Sequence, residues 1–208
     1  MEKISTVLKP KVKLISIVAL ITAILAGLLS LIQPLKYSAS VRLLITQRAA
    51  LTFDPYTALR STELIAENLA QVVSTSSFLE RVLQSGYKID AQYFSGSEQY
   101  RRRLWNKTVE TDLARGTGML RVAVYHPNRD EAIKIVSAIA FLLSTQGSEY
   151  IGRDITVRLV DAPLLSRFPV QPNIPLNIVA GAVLGALLGS AWVWVDHRQR
   201  RHHGQLLW

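Results

Sequence analysis

Residues 14–32 read LISIVALITAILAGLLSLI and residues 176–195 read LNIVAGAVLGALLGSAWVWV, and neither stretch contains a charged residue. At about 1.5 Å per residue, each stretch is long enough to cross the roughly 30 Å hydrocarbon core of a bilayer as an α-helix. The alternative for the first stretch is a cleaved signal peptide, but the apolar part of a signal peptide runs only about 7–15 residues. We therefore predict transmembrane helices at 14–32 and 176–195.

Positive charge lies on the outer side of both apolar stretches. The flanking basic residues are Lys9, Lys11 and Lys13 before the first stretch, and Arg198, Arg200 and Arg201 after the second. Because basic flanks are retained in the cytoplasm, we expect a two-pass protein of the cytoplasmic (inner) membrane. Its basic tails, 1–13 and 196–208, would be cytoplasmic, and residues 33–174 would be periplasmic or extracellular. The tails carry more than half of the net charge of +9. The excess of basic residues is therefore explained by membrane topology, whereas a nucleic-acid-binding protein would concentrate its positive charge on the folded domain.

The segment between the apolar stretches has the sequence patterns of an α+β domain. Period-two alternation predicts strands at 37–46, 108–114, 120–124 and 155–161. Helical periodicity predicts helices at 56–73, 76–84 and 97–106, and a longer helix from Asn128 to Gly147. Asn128 followed by Glu131 is typical of a capping box. The order β-α-(α)-β-β-α-β fits a ferredoxin-like split βαβ sheet with helices on one face.

The sequence offers no set of residues for catalysis, cofactor binding or metal binding. The chain has no cysteine, and His126 is the single histidine between the apolar stretches. A general base needs an oriented partner, and no such partner is evident, so we interpret His126 as a surface or capping residue. Gly116 and Gly118 lie between two predicted strands and favour a hairpin turn over a phosphate-binding loop. We predict that the protein is not an enzyme.

Two groups of residues near the second apolar stretch are candidates for structural roles. Glycine recurs every fourth residue at Gly181, Gly185 and Gly189, and this spacing allows close helix packing in lipid. We predict that these glycines pack against span 14–32 or against a neighbouring subunit. A proline-rich run, 163–175, is typical of a stiff connector that holds the domain at the membrane. Its prolines are Pro163, Pro169, Pro172 and Pro175.

The densest charge run of the central segment is Arg101, Arg102 and Arg103. Such a run attracts an anionic polymer or lipid headgroups, but it is more often a solvated helix face or a subunit contact. We keep these arginines as candidates for contact with a polymer or a neighbouring subunit.

The ordered set of features resembles the Wzz family, the polysaccharide co-polymerases or chain-length determinant proteins. The features are a basic tail, a span, the strand YSASVRLLIT, an α/β domain and the C-terminal stretch VRLVDAPLLSRFPVQPNIPLNIVAGAVLGALLG. Classical members carry long projecting helices, whereas residues 74–113 are too few for a tall helical hairpin. The chain is nearer in size to the short, kinase-partnered members, although it has no fused kinase domain.

The resemblance implies a non-enzymatic adaptor that forms a homo-oligomer beside a membrane polymerase or export machinery. Such an assembly would regulate the chain length, polymerisation or export of a cell-surface polysaccharide (lipopolysaccharide O-antigen, capsule or exopolysaccharide). No cofactor is implied, and the remaining partners would be membrane lipid and, in the kinase-partnered case, a cytoplasmic tyrosine kinase. Two other hypotheses stay open: an activator of that separate kinase, and a two-span sensor that binds a small ligand in a pocket of the central domain.

Overall fold

A computed structural model of the chain describes residues 11–47, 55–152 and 155–204. In chain order, the elements are α1 (Val12–Ile32), β1 (Tyr37–Gln47), α2 (Pro55–Val73), α3 (Ser76–Leu83), α4 (Glu98–Thr108), β2 (Val109–Ala114), β3 (Met119–His126), α5 (Arg129–Ile151), β4 (Ile155–Leu165) and α6 (Ile174–Gly204). A short 3₁₀ helix, Ala91–Phe94, precedes α4. The chain divides into two compact units. One unit consists of the two ends of the chain, up to Leu35 and from Gln171 onward, and the other consists of Lys36–Val170.

The unit formed by the two chain ends consists of helices α1 and α6, which pack against each other. Val12–Ile32 and Ile174–Val195 are each long and apolar enough to cross a membrane. Leucine and isoleucine side chains on their outer surfaces, such as Leu29 and Leu187, are more than half exposed. In a soluble protein such surfaces would be costly, so they are suited to contact with lipid.

The other unit is built on a four-stranded sheet in the order β2-β3-β1-β4. All three neighbouring pairs are antiparallel. Side chains alternate along β1, where Ala39, Val41, Leu43 and Ile45 are buried and Arg42 and Thr46 are exposed. The structure therefore confirms that this unit contains both helices and strands, with a four-stranded antiparallel sheet.

Helices α2 to α5 supply the other half of the core. The buried stripe of α5 includes Ile135, Val136, Ile139 and Leu143, at helical spacing, and Phe78, Phe94 and Trp105 are the largest side chains that are fully buried. Because one face of the sheet and one stripe of each helix are apolar, burial of these surfaces against each other drives the unit to fold.

The capping box predicted at Asn128 forms only in part. The Asn128 side chain accepts hydrogen bonds from the backbone N–H groups of Asp130 at 2.8 Å and Glu131 at 3.5 Å. Glu131 does not complete the box, because its carboxylate accepts from the backbone N–H of Asp90 at 2.9 Å and from Lys134 at 2.8 Å. The helix start was therefore predictable, whereas the partner of Glu131 depended on a distant loop.

The predicted end of this helix at Gly147 is wrong. Helix α5 continues to Ile151 and ends at Gly152, which has φ of 124°. Gly147 is buried within the helix, where an added Cβ would lie 3.2 Å from the Cγ2 atom of Val157 on β4. Glycine can mark either a helix end or a close helix–sheet contact, and the residue type alone did not distinguish the two at Gly147.

The proline-rich connector is shorter than predicted. Pro163 lies in β4, and β4 is an edge strand, where a missing N–H is tolerated. Pro175 lies in the first turn of α6, where a helix can also accept proline. Only Pro169 and Pro172 lie between the strand and the helix.

Candidate functional site

The predicted glycine stripe of α6 faces α1. A Cβ added at Gly181 would lie 2.6 Å from the Cβ of Ala26, and one at Gly185 would overlap the hydroxyl of Thr22. At Gly189 the nearest atom would be the Cα of Ile15, at 3.3 Å. The two helices therefore approach most closely at Gly181 and Gly185. Contact with α1 is one of the two possibilities that the sequence left open, and a role in oligomerisation stays a prediction.

Polar groups at the same helix pair are satisfied within it. The Asn177 side-chain amide donates to the hydroxyl of Ser30 at 2.8 Å, and Ser30 is buried. The Thr22 hydroxyl donates to the carbonyl oxygens of Val18 at 2.9 Å and Ala19 at 3.0 Å, within its own helix. A bond between helices fixes their register in an apolar environment. It was not predictable from the sequence, because Ser30 and Asn177 are far apart in the chain.

The arginine run lies on α4. Arg101 forms an ion pair with Glu80 of α3, with 2.8 Å between Nη2 and Oε1. The side chains of Arg102 and Arg103 are exposed. One member of the run thus stabilises the contact between two helices of its own domain, and the other two are free to meet a partner. Their role in polymer or subunit contact stays a prediction.

His126 is buried, so the prediction of a surface histidine is wrong, whereas its local capping contact exists. Its Nδ1 atom accepts the backbone N–H of Asn128 at 3.0 Å, and its ring packs edge-on against Tyr93, with 4.2 Å between centroids. Burial lowers the pKa of His126 below its ordinary value of 6.5. The imidazole is therefore a neutral structural group at the turn before α5.

A groove of about 640 Å³ runs between helix α2 and the edge strand β2. Its lining is mixed, with charged Arg60 and Glu67 beside apolar Leu64 and Leu113. Glu63, at the same place, accepts the backbone N–H of Gly116, and this bond is the largest cause of its lowered pKa. The carboxylate thus stabilises the β2–β3 turn. No group of three or more metal-binding side chains occurs in the described parts of the chain.

The face of the sheet opposite the core, here called the open face, carries a row of charges that was not predicted from the sequence. Arg121 of β3 lies directly opposite Asp112 of β2 on one side and Arg42 of β1 on the other. Arg42 in turn lies opposite Asp161 of β4, with 3.4 Å between Nη1 and Oδ2. The exposed positions of each strand were readable from period-two alternation, but the row exists only through the strand register.

Two helices that are each long and apolar enough to cross a membrane flank an α+β unit, and this arrangement suggests the class of membrane-inserted proteins. The family model of Wzz, the chain length determinant protein, matches residues 1–86. The resemblance predicted from the sequence is therefore confirmed over this part of the chain, which contains α1, β1, α2 and α3. No curated protein matches the chain in sequence.

Proposed function

We propose that this protein is a non-enzymatic membrane adaptor that regulates the chain length, polymerisation or export of a cell-surface polysaccharide by assembling into an oligomer. The match of residues 1–86 to the chain length determinant family carries this proposal. Two apolar helices on either side of an α+β unit support it, because they suit an adaptor that works beside a membrane polymerase. In this proposal the assembly acts through its contacts and geometry, since no catalytic constellation is evident in the described residues.

The proposed domain is ferredoxin-like. The observed order β2-β3-β1-β4, with every neighbouring pair antiparallel, supports this assignment. In such a sheet the first and last strands are antiparallel neighbours, so the chain enters the first strand and leaves the last strand at the same end of the sheet. The hydrogen bond from the N–H of Val170 to the carbonyl of Lys36, at 2.8 Å, is consistent with that arrangement.

The proposed topology places both tails in the cytoplasm and the domain outside. Because the chain has no cysteine, single cysteines can test it directly. Asn68→Cys is on an exposed position of α2, and we expect a membrane-impermeant maleimide to label it in intact spheroplasts. Ser5→Cys is the matched control and should be labelled only after the membrane is opened. The reverse labelling pattern would overturn the topology.

The function itself is tested by a clean deletion of the gene, with the surface polysaccharides separated on a gel beside the parent strain. We expect a changed length distribution, or loss of the polymer while lipid-linked precursors remain. Complementation with the full chain should restore the parent pattern. An unchanged polysaccharide pattern in the deletion strain would overturn the proposal and favour the sensor hypothesis.

The alternative, activation of a separate cytoplasmic tyrosine kinase, has one specific feature in its favour. Helix α6 continues to Gly204, nine residues beyond the end of the apolar span at Val195, and this extension carries Arg198, Arg200 and Arg201. Deleting residues 196–208 distinguishes the two functions. A kinase activator would lose phosphorylation of its partner, whereas a pure length regulator would keep its effect on the polymer.

A further inference from the structure

The charged row of the open face places two arginines side by side. Asp112, Arg121, Arg42 and Asp161 lie in this order across all four strands, as directly opposite residues of neighbouring strands. Neighbouring strands are about 4.8 Å apart, so the two guanidinium stems rise next to each other near the middle of the sheet. The four formal charges form the sequence minus, plus, plus, minus.

This arrangement has an electrostatic cost that the domain does not remove by itself. Like charges directly opposite each other in a sheet are destabilising. The Arg42–Asp161 ion pair is long, at 3.4 Å, and its two side chains are 60% and 53% exposed, so water screens it strongly. Both aspartates lie on the outer sides of the pair, so no carboxylate of this row lies between Arg42 and Arg121.

The next row on the same face runs Glu110, Ala123, Ser40 and Leu164 across the four strands. Its two central residues, Ala123 and Ser40, lie beside the two arginines and are both small. Two register shifts between β1 and β4 occur on either side of Arg42, and bulges of this kind redirect side chains at the edge of a sheet. A recess of about 370 Å³ lies on the β4 side of Arg42, away from Arg121, and it is lined by Ser40, Val41, Arg42, Asp161, Ala162 and Leu164. It can hold the part of a sugar ring that extends from the arginine pair toward Asp161.

We propose that the open face binds an acidic sugar unit of a polysaccharide, with its carboxylate between Arg42 and Arg121. Arginine presents a planar fork of donors that matches a carboxylate. The carboxylates of Asp112 and Asp161 then accept hydrogen bonds from the sugar hydroxyls on either side. Because the row has no net charge, it suits a ligand with one negative charge and many hydroxyls better than a phosphate. This inference rests on the proposed function and assigns a ligand class to the domain.

Binding is tested with the full chain in detergent, titrated with a short oligogalacturonate and, as the neutral probe, a maltooligosaccharide of the same length. We expect the acidic oligomer to bind and the neutral one to bind at least about tenfold more weakly, since charge-assisted hydrogen bonds supply the difference. Arg121→Gln should weaken binding of the acidic oligomer by about tenfold or more. Lys107→Gln, which removes an exposed positive charge of α4, is the matched control and should leave affinity unchanged.

Folding of the variants is checked by thermal unfolding. Arg121→Gln removes a like-charge neighbour of Arg42 while keeping a polar side chain, so we expect its unfolding temperature to stay equal or rise, and a loss of affinity cannot then be attributed to misfolding. Equal binding of the neutral oligomer, equal competition by inorganic phosphate, no binding at all, or unchanged affinity in Arg121→Gln would each overturn the proposal.

Failure of this inference and failure of the proposed function give different results. If the gene deletion changes polysaccharide length but Arg121→Gln binds the acidic oligomer normally, the adaptor function stands and the sugar site is wrong. If the deletion has no effect on the polysaccharide but binding depends on Arg121, the acidic-sugar site stands and the proposed function is wrong.

Discussion

The hydroxyl of Thr22 occupies the space that a side chain at Gly185 would need. Thr22 is held in this position by its own helix, because its hydroxyl bonds to the carbonyls of Val18 and Ala19. The backbone of α1 is also close, since a Cβ at Gly185 would lie 2.8 Å from the Cα of Ala19. The contact between the two apolar helices therefore depends on the absence of a side chain at this residue.

We predict that Gly185→Ala destabilises the helix pair by about 1–3 kcal/mol, the usual cost of forcing extra volume into a packed interface. Gly189→Ala is the control and should cost less, because the nearest atom to its Cβ would be 3.3 Å away. The measurement is unfolding of the full chain in mixed micelles. Adding Thr22→Ala to Gly185→Ala should recover only part of the loss, since the backbone at Ala19 remains; full recovery would show that the clash involves the side chain alone.

The turn between β2 and β3 contains two glycines, Gly116 and Gly118, whose substitution by alanine should have different effects on stability. Gly116 and Gly118 have φ of 75° and 64°, so alanine at either position costs about 1–2 kcal/mol of backbone strain. A Cβ at Gly116 would meet no atom within 4 Å, whereas one at Gly118 would lie 2.7 Å from the Cγ2 of Thr62 and 3.0 Å from the carbonyl oxygen of Ile45. We expect Gly118→Ala to lower the free energy of unfolding more than Gly116→Ala. Equal losses in denaturant unfolding would contradict the close approach at Gly118.

The indole of Trp105 joins α4 to the end of α2. Its Nε1–H donates to the carbonyl of Val73 at 2.7 Å, and the side chain is fully buried. Trp105→Phe keeps an aromatic ring but leaves that carbonyl without its donor, so we expect a loss of about 1–3 kcal/mol. Trp192→Phe, at a side chain that is 63% exposed, is the control. Thermal unfolding followed by circular dichroism measures both, and similar stabilities would refute the role of the indole bond.

Stability should depend on pH through His126. Burial lowers the pKa of His126 in the folded chain below 6.5. At a pH between this lowered pKa and 6.5, the imidazole is therefore protonated in the unfolded chain and neutral in the folded chain. The free energy of unfolding therefore falls as the pH decreases through this window. His126→Asn has no titrating ring and keeps an acceptor for the N–H of Asn128; it should be less stable overall but lose most of this slope. Denaturant unfolding between about pH 7.5 and about pH 5.5 measures the slope, and an unchanged slope in the variant would assign it to other groups.

Sequence periodicity predicted most of the secondary structure, because local geometry determines it. The strand at Tyr37–Gln47 and the start of α5 at Asn128 both follow from patterns within about ten residues. The errors occurred where a residue met a distant element. Gly147 indicated a helix end but packs on Val157, and Pro163 indicated a connector but lies in an edge strand.

The glycine stripe was recognisable from the sequence, because a four-residue repeat in an apolar stretch lies on one face of any helix. Its contact with Thr22 was not recognisable, because the partner helix lies more than a hundred residues away in the chain. The same reason hid the Ser30–Asn177 hydrogen bond and the charged row, whose members come from four different strands.

The sequence by itself determined the two apolar helices, the α+β class of the segment between them and the resemblance to the chain length determinant family. These depend on composition, period and order along the chain. Only the tertiary structure decided that Arg42 lies beside Arg121 and that Gly185 lies against Thr22. Strand register and helix packing bring together residues that no local pattern relates, because they are fixed by burial of the whole core rather than by any one segment.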